Sequence, residues 1–179
     1  MNSNKYDKIS EYIYKCKCCS KQLTPSTINS HYMNNHMAEI VPCLYLGSYG
    51  MVNKHELAFF KITDIINTAV EVCYDLKGYN CYKLHLHDTV QQHLIEYLDS
   101  ICDHIHTLRN AKCRVMVHCF MGISRSASIV IAYLIKYYNM TYDEAYKYVN
   151  ERRHVLPNTR FEKELREYSD KINKMDTSD

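Results

Sequence analysis

The sequence predicts an α/β protein with a central five-stranded, mostly parallel sheet that is flanked by helices. Short apolar or alternating segments typical of strands are interleaved with longer segments in which apolar residues recur at helical spacing. The chain has 179 residues, of which 46% are hydrophobic, enough to form a substantial core. We expect strands near 39–41, 44–46, 63–67, 81–86 and 114–118, and helices near 52–61, 91–109, 126–138, 142–153 and 159–173.

Two of the predicted helices carry specific local signals. In the segment 91–109, leucine and isoleucine recur every three or four residues and share one face, which predicts a core-facing helix; they are Leu94, Leu98, Ile101, Ile105 and Leu108. Thr141 directly precedes the segment 142–153, and Glu144 lies three residues after Thr141. This spacing is typical of a capping box, in which the two side chains satisfy backbone N–H groups at the start of a helix.

Charge and cysteine content exclude several classes of protein. The formal net charge of +2 is too close to neutral to favour nucleic acid or a membrane surface as a partner. The chain has no run of about twenty apolar residues, and its first residues lack the apolar core of a signal peptide. Nine cysteines without such a signal favour a reducing compartment. We therefore expect a cytoplasmic protein, with a nuclear location left open, and no membrane association.

The most informative segment is the loop between the strand near 114–118 and the helix near 126–138. It places Cys119 and Arg125 six positions apart, with Gly122 between them. A loop that joins a strand to a helix N-terminus points backbone N–H groups into one concavity, which binds a tetrahedral anion. These amides and Arg125 favour the thiolate form of Cys119, the form that attacks. The pattern predicts phosphoryl transfer to Cys119, followed by hydrolysis of the phosphocysteine.

The neighbouring loop residues belong to the same predicted site. Arg125 can hold two phosphate oxygens at once with its planar fork. Gly122 allows a backbone angle or a close approach that a side chain would prevent. Ser126, at the helix start, can cap amides or donate a hydrogen bond to the sulfur. The residues expected to face the substrate are Phe120, Met121, Gly122, Ile123 and Ser124.

The segment His118–Ser126 resembles the signature of cysteine-based protein tyrosine phosphatases, and its form with Gly122 and Ser124 is most similar to the dual-specificity branch. The similarity extends to the segments 40–48, 65–67 and 157–165, and covers about residues 38–174. The resemblance implies the fold of that branch, phosphoprotein substrates and catalysis without a cofactor. It also implies that His118 holds the loop through hydrogen bonds and has a structural rather than a catalytic role.

The resemblance further implies a general acid about thirty residues before the cysteine. Asp88 precedes Cys119 by 31 residues and directly follows the alternating segment 82–87, so it is expected in a loop at a strand end. We assign it as the acid that protonates the leaving oxygen and the base that later activates water. Asp88 also precedes the helical pattern of 91–108, which leaves open a role as the helix N-cap.

Substrate class is indicated by the side chains of the loop. Phe120, Met121 and Ile123 are apolar, whereas family members that act on inositol phospholipids usually carry lysines there. Members that act on RNA 5′-phosphates usually have Asn-Arg-Thr where this chain has Ser124-Arg125-Ser126. We therefore expect a phosphatase acting on phosphotyrosine, phosphoserine or phosphothreonine in proteins. A catalytically weak adaptor that binds phosphopeptides and an RNA 5′-phosphatase are the alternatives.

We expect a small appendage, residues 1–37, before a catalytic domain of residues 38–179. The spacing Cys-x2-Cys-x11-His-x4-His resembles a Cys2His2 zinc finger and predicts tetrahedral zinc ligands; they are Cys16, Cys19, His31 and His36. Tyr14, Leu23 and Ile28 supply the apolar positions of such a finger, and Cys18 is an extra thiol. The alternative is a disordered tail with scattered cysteines. One finger seldom specifies a DNA site, so a contact with a protein partner is the expected use.

Overall fold

The computed structural model describes residues 5–10, 13–28, 31 and 35–176. Three short strands form a small antiparallel sheet: β1 (Tyr6–Ser10), β2 (Ile13–Cys16) and β3 (Gln22–Leu23). Five strands form the central sheet: β4 (Ala38–Val41), β5 (Leu44–Ser48), β6 (Asp64–Ala69), β7 (Asn80–Leu86) and β8 (Val115–Cys119). A 3-10 turn covers Tyr49–Met51, and the α-helices that follow it are α1 (Lys54–Phe59), α2 (Ile95–Asn110), α3 (Arg125–Tyr138), α4 (Tyr142–Asn150) and α5 (Thr159–Asp176).

The central sheet has the strand order β4-β5-β8-β6-β7, with β8 in the middle. Only the β4–β5 pair is antiparallel; β5, β8, β6 and β7 run parallel to one another. All five residues of β8 are buried, as is typical of a parallel strand covered on both faces. The predicted α/β class with a mostly parallel five-stranded sheet is therefore confirmed. The carboxyl ends of β8, β6 and β7 meet at one edge, where open α/β sheets bind ligands.

The helix that follows β8 is the centre of the main core. Its residues from Arg125 to Ile135 are all buried. The main core also includes the predicted apolar face of α2, in which Leu94, Leu98, Ile101 and Ile105 are buried and Leu108 packs against them. Because close packing surrounds this helix, its orientation is fixed and its N-terminus is held at the end of β8.

The segment between β7 and α2 differs from the prediction. We expected helical structure from residue 91, but α2 begins at Ile95, and Asp88 lies seven residues earlier in an irregular segment. The start of α2 is capped from a distance, because the Glu164 carboxylate accepts hydrogen bonds from Leu94 N at 2.6 Å and Ile95 N at 3.1 Å. The alternative that Asp88 caps this helix is therefore wrong. The capping box predicted at Thr141 and Glu144 is confirmed.

The structure describes all nine cysteines, and each is a free thiol. No helix in the described part of the chain is long and apolar enough to cross a membrane. The aromatic position predicted at Tyr14 cannot be compared, because that side chain lies outside the described residues, whereas Leu23 and Ile28 are both buried in the small N-terminal cluster.

Candidate active site

The loop between β8 and α3 encloses the sulfur of Cys119. Cys119 is the last residue of β8 and is 1% exposed. The backbone N of Gly122 donates to its Sγ at 3.1 Å, and the Ser126 hydroxyl donates to the same atom at 3.3 Å. Both donors stabilise negative charge on the sulfur more than they stabilise the neutral thiol. The strand, loop and helix thus bring together Cys119, Gly122 and Ser126, as the pattern predicts.

Gly122 is required for the shape of this loop. Its φ is +73°, a conformation that L-residues with a side chain rarely adopt. A Cβ at this position would also lie 2.4 Å from the Gly47 carbonyl oxygen in the neighbouring strand β5. Any side chain would therefore push the loop away from the sheet and move the amide that faces Cys119.

Arg125 is the first residue of α3 and is 6% exposed. Its Nη1 and Nη2 each donate to one oxygen of the Glu71 carboxylate at 2.6 Å, and Nη1 also donates to Leu86 O at 3.1 Å. Burial opposes the charge of the guanidinium, but Glu71, Cys119 and Asp88 together outweigh burial and raise the pKa of Arg125 above its usual value. A guanidinium has five N–H groups, so these bonds leave Nε–H and one Nη2–H on the same edge.

That remaining edge of Arg125 is directed at the site. Its Nε is buried and has no hydrogen-bond partner among the described residues, and Asp88 Oδ2 lies 3.7 Å from it. A buried N–H without a partner is costly, and an anion held by the loop would satisfy it. The paired Nε–H and Nη2–H form the fork that binds two oxygens of a phosphate.

Glu71 is a site residue that the sequence did not reveal. It follows β6 and therefore lies at the same sheet edge as Cys119 and Asp88. The bonds from Arg125 hold the pKa of Glu71 below its usual value, so it is ionised at neutral pH. The one available signal was indirect: a buried arginine needs a carboxylate, and Glu71 is an acid placed just after a predicted central strand.

Asp88 lies beside the mouth of the loop. Its Oδ1 accepts hydrogen bonds from Ser124 Oγ at 2.7 Å and from Asn158 Nδ2 at 2.8 Å. Asn158 was not assigned to the site, although an asparagine before the predicted helix 159–173 signals an N-cap. It has that second role too, since its Oδ1 accepts from Phe161 N at 3.0 Å. The loop and the start of α5 together therefore position the carboxylate.

His118 lies under the loop and is fully buried. Its Nδ1 lies 3.1 Å from Cys119 O, which can only accept, so Nδ1 carries the proton. Its Nε2 then accepts from the Tyr74 hydroxyl at 2.6 Å. Burial lowers the pKa of His118 to about 4, and the ring is neutral at pH 7. Both ring nitrogens therefore form hydrogen bonds within the protein, and the bond from Nδ1 holds the backbone of Cys119 in place.

The pocket around the sulfur has polar walls and an apolar rim. Cys119, Ser124 and Arg125 are buried and line its base, while the less buried Asp88 and Asn158 line its wall. The rim includes exposed apolar side chains: Phe120 (52% exposed), Met121 (59%) and Leu156 (64%). Ile123 also lines the pocket, and its carbonyl accepts from Leu156 N at 2.9 Å. The pocket can therefore hold an anion at its base and apolar groups at its entrance.

The predicted zinc ligands form a separate group, away from this pocket. One ligand atom from each of four side chains lies within 4.8 Å of the others: Cys16, Cys19, His31 and His36. These are the four residues of the spacing pattern in the N-terminal segment. Glu56, on α1, belongs to an overlapping group with Cys18 and His36.

The fold and the pocket define a class of protein, one that binds a tetrahedral oxyanion against a cysteine sulfur and an arginine at the carboxyl edge of a parallel sheet. The chain matches the family model of the dual specificity phosphatase catalytic domain over residues 44–171 and belongs to that family. The predicted family is therefore confirmed. Membership agrees with the expectation that catalysis needs no cofactor, and it does not favour the adaptor or the RNA 5′-phosphatase.

Individual relatives agree. Human dual specificity protein phosphatase 14 is 35% identical over 135 residues, which cover 74% of this chain and 68% of that protein. Human dual specificity protein phosphatase 1 is 33% identical over 160 residues, which cover 88% of this chain. The chain spans 41% of the length of that protein, and 66% of the length of bovine dual specificity protein phosphatase 26.

Solved structures show the same architecture. Human tyrosine phosphatase-like serine/threonine/tyrosine-interacting protein is 32% identical, with a TM-score of 0.69, over 75% of this chain and 96% of that one. Human DUSP28 has a TM-score of 0.71 at 23% identity, over 75% of this chain and 93% of that one. The second match is a likeness of fold alone.

Proposed function

We propose that this chain is a phosphatase that hydrolyses phosphotyrosine, phosphoserine and phosphothreonine in proteins through a phosphocysteine intermediate. The observation that carries the proposal is the pairing of two features in one pocket. Cys119 Sγ receives hydrogen bonds from Gly122 N and Ser126 Oγ, and the buried Nε–H of Arg125, which has no hydrogen-bond partner among the described residues, faces the same space. A thiolate beside a phosphate-binding fork is the arrangement that phosphoryl transfer to sulfur requires.

In the first step the phosphate of the substrate lies in the loop, and its oxygens accept from the loop amides and the fork of Arg125. The Cys119 thiolate attacks phosphorus, and the bond between phosphorus and the ester oxygen breaks. Asp88 lies at the mouth of the pocket, where its carboxyl group donates a proton to the leaving oxygen. The products are the free hydroxyl side chain and a phosphocysteine.

In the second step water attacks the phosphorus of the phosphocysteine. Asp88, now a carboxylate, accepts a proton from that water, and the phosphorus–sulfur bond breaks. Inorganic phosphate leaves, and the Cys119 thiolate is restored. Ser126 Oγ and Gly122 N stabilise the sulfur as a leaving group in this step, since both already donate to it. The cycle needs a reduced thiol, which supports a cytoplasmic or nuclear location.

The rim supports phosphoprotein substrates. The side chains at the entrance, Phe120, Met121 and Leu156, are apolar and exposed. They would contact the side chain that carries the phosphate and its neighbours in a peptide, whereas a multiply phosphorylated headgroup would need cations there. The names of the relatives, dual specificity protein phosphatases, agree with this class of substrate.

The expected contact of residues 1–37 with a protein partner stays a prediction. It is supported by the exposed strand β1, which lies at the edge of the small sheet. Ile9 on this strand is 51% exposed. An edge strand offers unpaired backbone groups to another chain.

The test is turnover of a phosphotyrosine peptide and a phosphothreonine peptide by the full chain and two variants. Cys119→Ser should lose turnover on both peptides but still bind them. Asp88→Asn should lower kcat by about 100- to 10,000-fold, the usual contribution of general acid catalysis, while binding persists. Peptide binding without turnover by the unmodified chain would support the adaptor instead, and normal turnover by Cys119→Ser would refute the phosphocysteine.

A further inference from the structure

The N-terminal segment contains four metal-ligating side chains that the phosphatase mechanism does not use. Cys16 Sγ lies 3.3 Å from His36 Nε2, and Cys19 Sγ lies 3.3 Å from His31 Nε2. The two Nε2 atoms are 3.1 Å apart. We propose that Cys16, Cys19, His31 and His36 bind one zinc ion, and that this zinc site acts through Arg153. Arg153 would support the phosphate loop, residues 119–125 between β8 and α3, from the side that faces away from the pocket.

The separations fit a tetrahedral metal site. Zinc binds thiolate sulfur at about 2.3 Å and imidazole nitrogen at about 2.0–2.1 Å, so the edges of its tetrahedron measure roughly 3.6 Å between sulfur and nitrogen and roughly 3.3 Å between two nitrogens. The observed separations of 3.3 and 3.1 Å lie close to these edges. Two thiols and two imidazoles are also the ligand set of structural zinc sites.

The backbone brings the two sulfurs to one side. Cys16 ends β2, and the chain turns at residues 17–19, with Ser20 N bonded to Cys16 O at 2.9 Å. Ser20 has a φ of +61°, which completes the reversal. The remaining support is small, because the buried cluster among the described residues here contains Cys16, Cys18, Leu23 and Ile28, with Tyr6 packed against it. So few apolar side chains do not stabilise a fold alone, and a metal supplies what the core lacks.

The ligand His36 has the outer partner that such a site needs. Its Nδ1 forms a hydrogen bond with the carboxylate of Glu56 on α1, and both side chains are buried. With its proton on Nδ1, the ring presents the lone pair of Nε2 to a metal, as in carboxylate–histidine–zinc arrangements. Glu56 Oε2 is also buried and has no hydrogen-bond partner among the described residues, so a cation nearby would compensate for its burial.

Cys18 lies outside the proposed ligand set. Its thiol donates to Glu56 Oε1 at 3.0 Å and lies 3.6 Å from His55 Nδ1. It is buried like Cys16, yet it faces α1 rather than the cluster of nitrogens. Cys18 is therefore a matched control: a neighbouring, buried cysteine whose removal should leave the metal bound.

Arg153 connects the zinc site to the phosphate loop. This arginine is 5% exposed, and its Nη1 donates to His36 O at 3.4 Å. Its Nε donates to Gly122 O at 3.0 Å, and its Nη2 donates to Met121 O at 3.2 Å. One guanidinium thus joins the backbone of a zinc ligand to two consecutive carbonyls of the loop.

A second contact runs through the residue after the last ligand. Met37 is fully buried in the core cluster with Tyr45, Met51 and Met116. Met37 also packs closely against Gly47, since a Cβ added at Gly47 would lie 3.3 Å from the Met37 Cβ. The Gly47 carbonyl is the group that a side chain at Gly122 would meet, so Gly47 and the loop are in close contact. Fixing His36 therefore also fixes the strand β5 on which the loop rests.

Metal content tests the first part of the proposal. The full chain, purified in a phosphine reductant, should contain about one zinc per chain, and cobalt substitution should give the visible bands of a tetrahedral thiolate site. Cys16→Ser should lose the metal and Cys18→Ser should retain it. Glu56→Gln should weaken zinc binding by about 10- to 100-fold. A metal-free wild-type chain without a cobalt spectrum would overturn the site, as would loss of zinc from Cys18→Ser.

Oxyanion binding tests the second part, which rests on the proposed phosphate site. Tungstate affinity, measured by calorimetry, needs no turnover and so separates this inference from the proposed activity. Removing zinc by Cys16→Ser should weaken tungstate binding by about 2- to 30-fold, and Arg153→Met should do the same. The double variant should lose no more than either single change, because both break one connection. Unchanged affinity in Cys16→Ser, or additive losses, would overturn the coupling even if zinc is bound.

Discussion

The two sides of the phosphate loop are each held by a buried arginine, and the two arginines are bonded differently. On the pocket side, Arg125 is paired with the carboxylate of Glu71 and keeps one edge directed at the site. On the outer side, Arg153 donates to the carbonyls of Gly122, Met121 and His36. One arginine is therefore arranged to receive an anion, and the other to hold backbone.

The pKa directions of the two arginines follow this difference. Burial opposes the charge of Arg125, but the hydrogen bonds to Glu71 together with the nearby Cys119 and Asp88 reverse the effect and raise the pKa of Arg125. Burial lowers the pKa of Arg153, with only partial compensation from Cys119. The comparison teaches that burial alone does not identify a catalytic arginine. What matters is whether the guanidinium keeps an unsatisfied edge that faces a cavity.

The largest effect that the comparison predicts is on turnover. Arg125→Lys keeps the charge but loses the fork, so kcat should fall by about 100- to 1,000-fold, the usual cost of one missing oxyanion donor. Arg153→Lys makes the same chemical change on the outer side and should lower kcat by less than about tenfold. Steady-state kinetics with p-nitrophenyl phosphate measures both. Equal losses would remove the distinction between the two sides.

The second prediction concerns His118, which supports the backbone under the loop and does not face the substrate. Because burial holds its pKa at about 4, against 6.5 in the unfolded chain, the unfolded state binds a proton in this range that the native state does not. The free energy of unfolding should therefore fall as pH is lowered from about 6.5 to about 4, by on the order of 3 kcal/mol from this residue.

Urea unfolding at several pH values measures that dependence. His118→Asn should show a shallower pH slope in this window, because the titrating ring is gone while a donor to Cys119 O is kept. Tyr74→Phe is the matched control, since it removes the hydrogen bond to Nε2 but leaves the ring. An unchanged slope in His118→Asn would show that the ring does not titrate as a buried neutral group.

The site residues that could be predicted are those that lie close together in the sequence. Cys119, Gly122, Arg125 and Ser126 lie within one strand–loop–helix unit, so their spacing alone brings them together. The order of strands and helices was likewise predictable, because each has its own periodicity. The start of α2 could not be predicted, because it is capped by Glu164. This residue belongs to α5, and no local sequence pattern connects it to Leu94.

Residues that act across the fold left no such signal. Glu71, Glu56 and Arg153 each contact a partner supplied by a distant segment. Glu56 and Arg153 resemble any surface charge when their neighbours in sequence are considered alone. Their roles follow from burial, since a charged group that is removed from water must find a partner, and only the folded chain shows which partner it is.

A smaller loss of turnover than for Arg125→Lys is expected at Glu71, which acts through Arg125. Glu71→Gln should lower kcat by about 10- to 100-fold, because a fork that is no longer held by two charge-assisted bonds is misplaced relative to the phosphate. The lowered pKa of Glu71 means that the pair persists as pH falls until the folded pKa, below the usual 4.5, is reached. The wild-type advantage over Glu71→Gln should therefore be constant near neutral pH and shrink only in that acidic range. Glu167→Gln is the matched control: this exposed carboxylate on α5 lies 3.9 Å from Lys163 Nζ, and its change should leave kcat unchanged. If Glu71→Gln matches that control, Arg125 is held by α3 and Leu86 O alone, and the pocket side needs no carboxylate to orient its arginine.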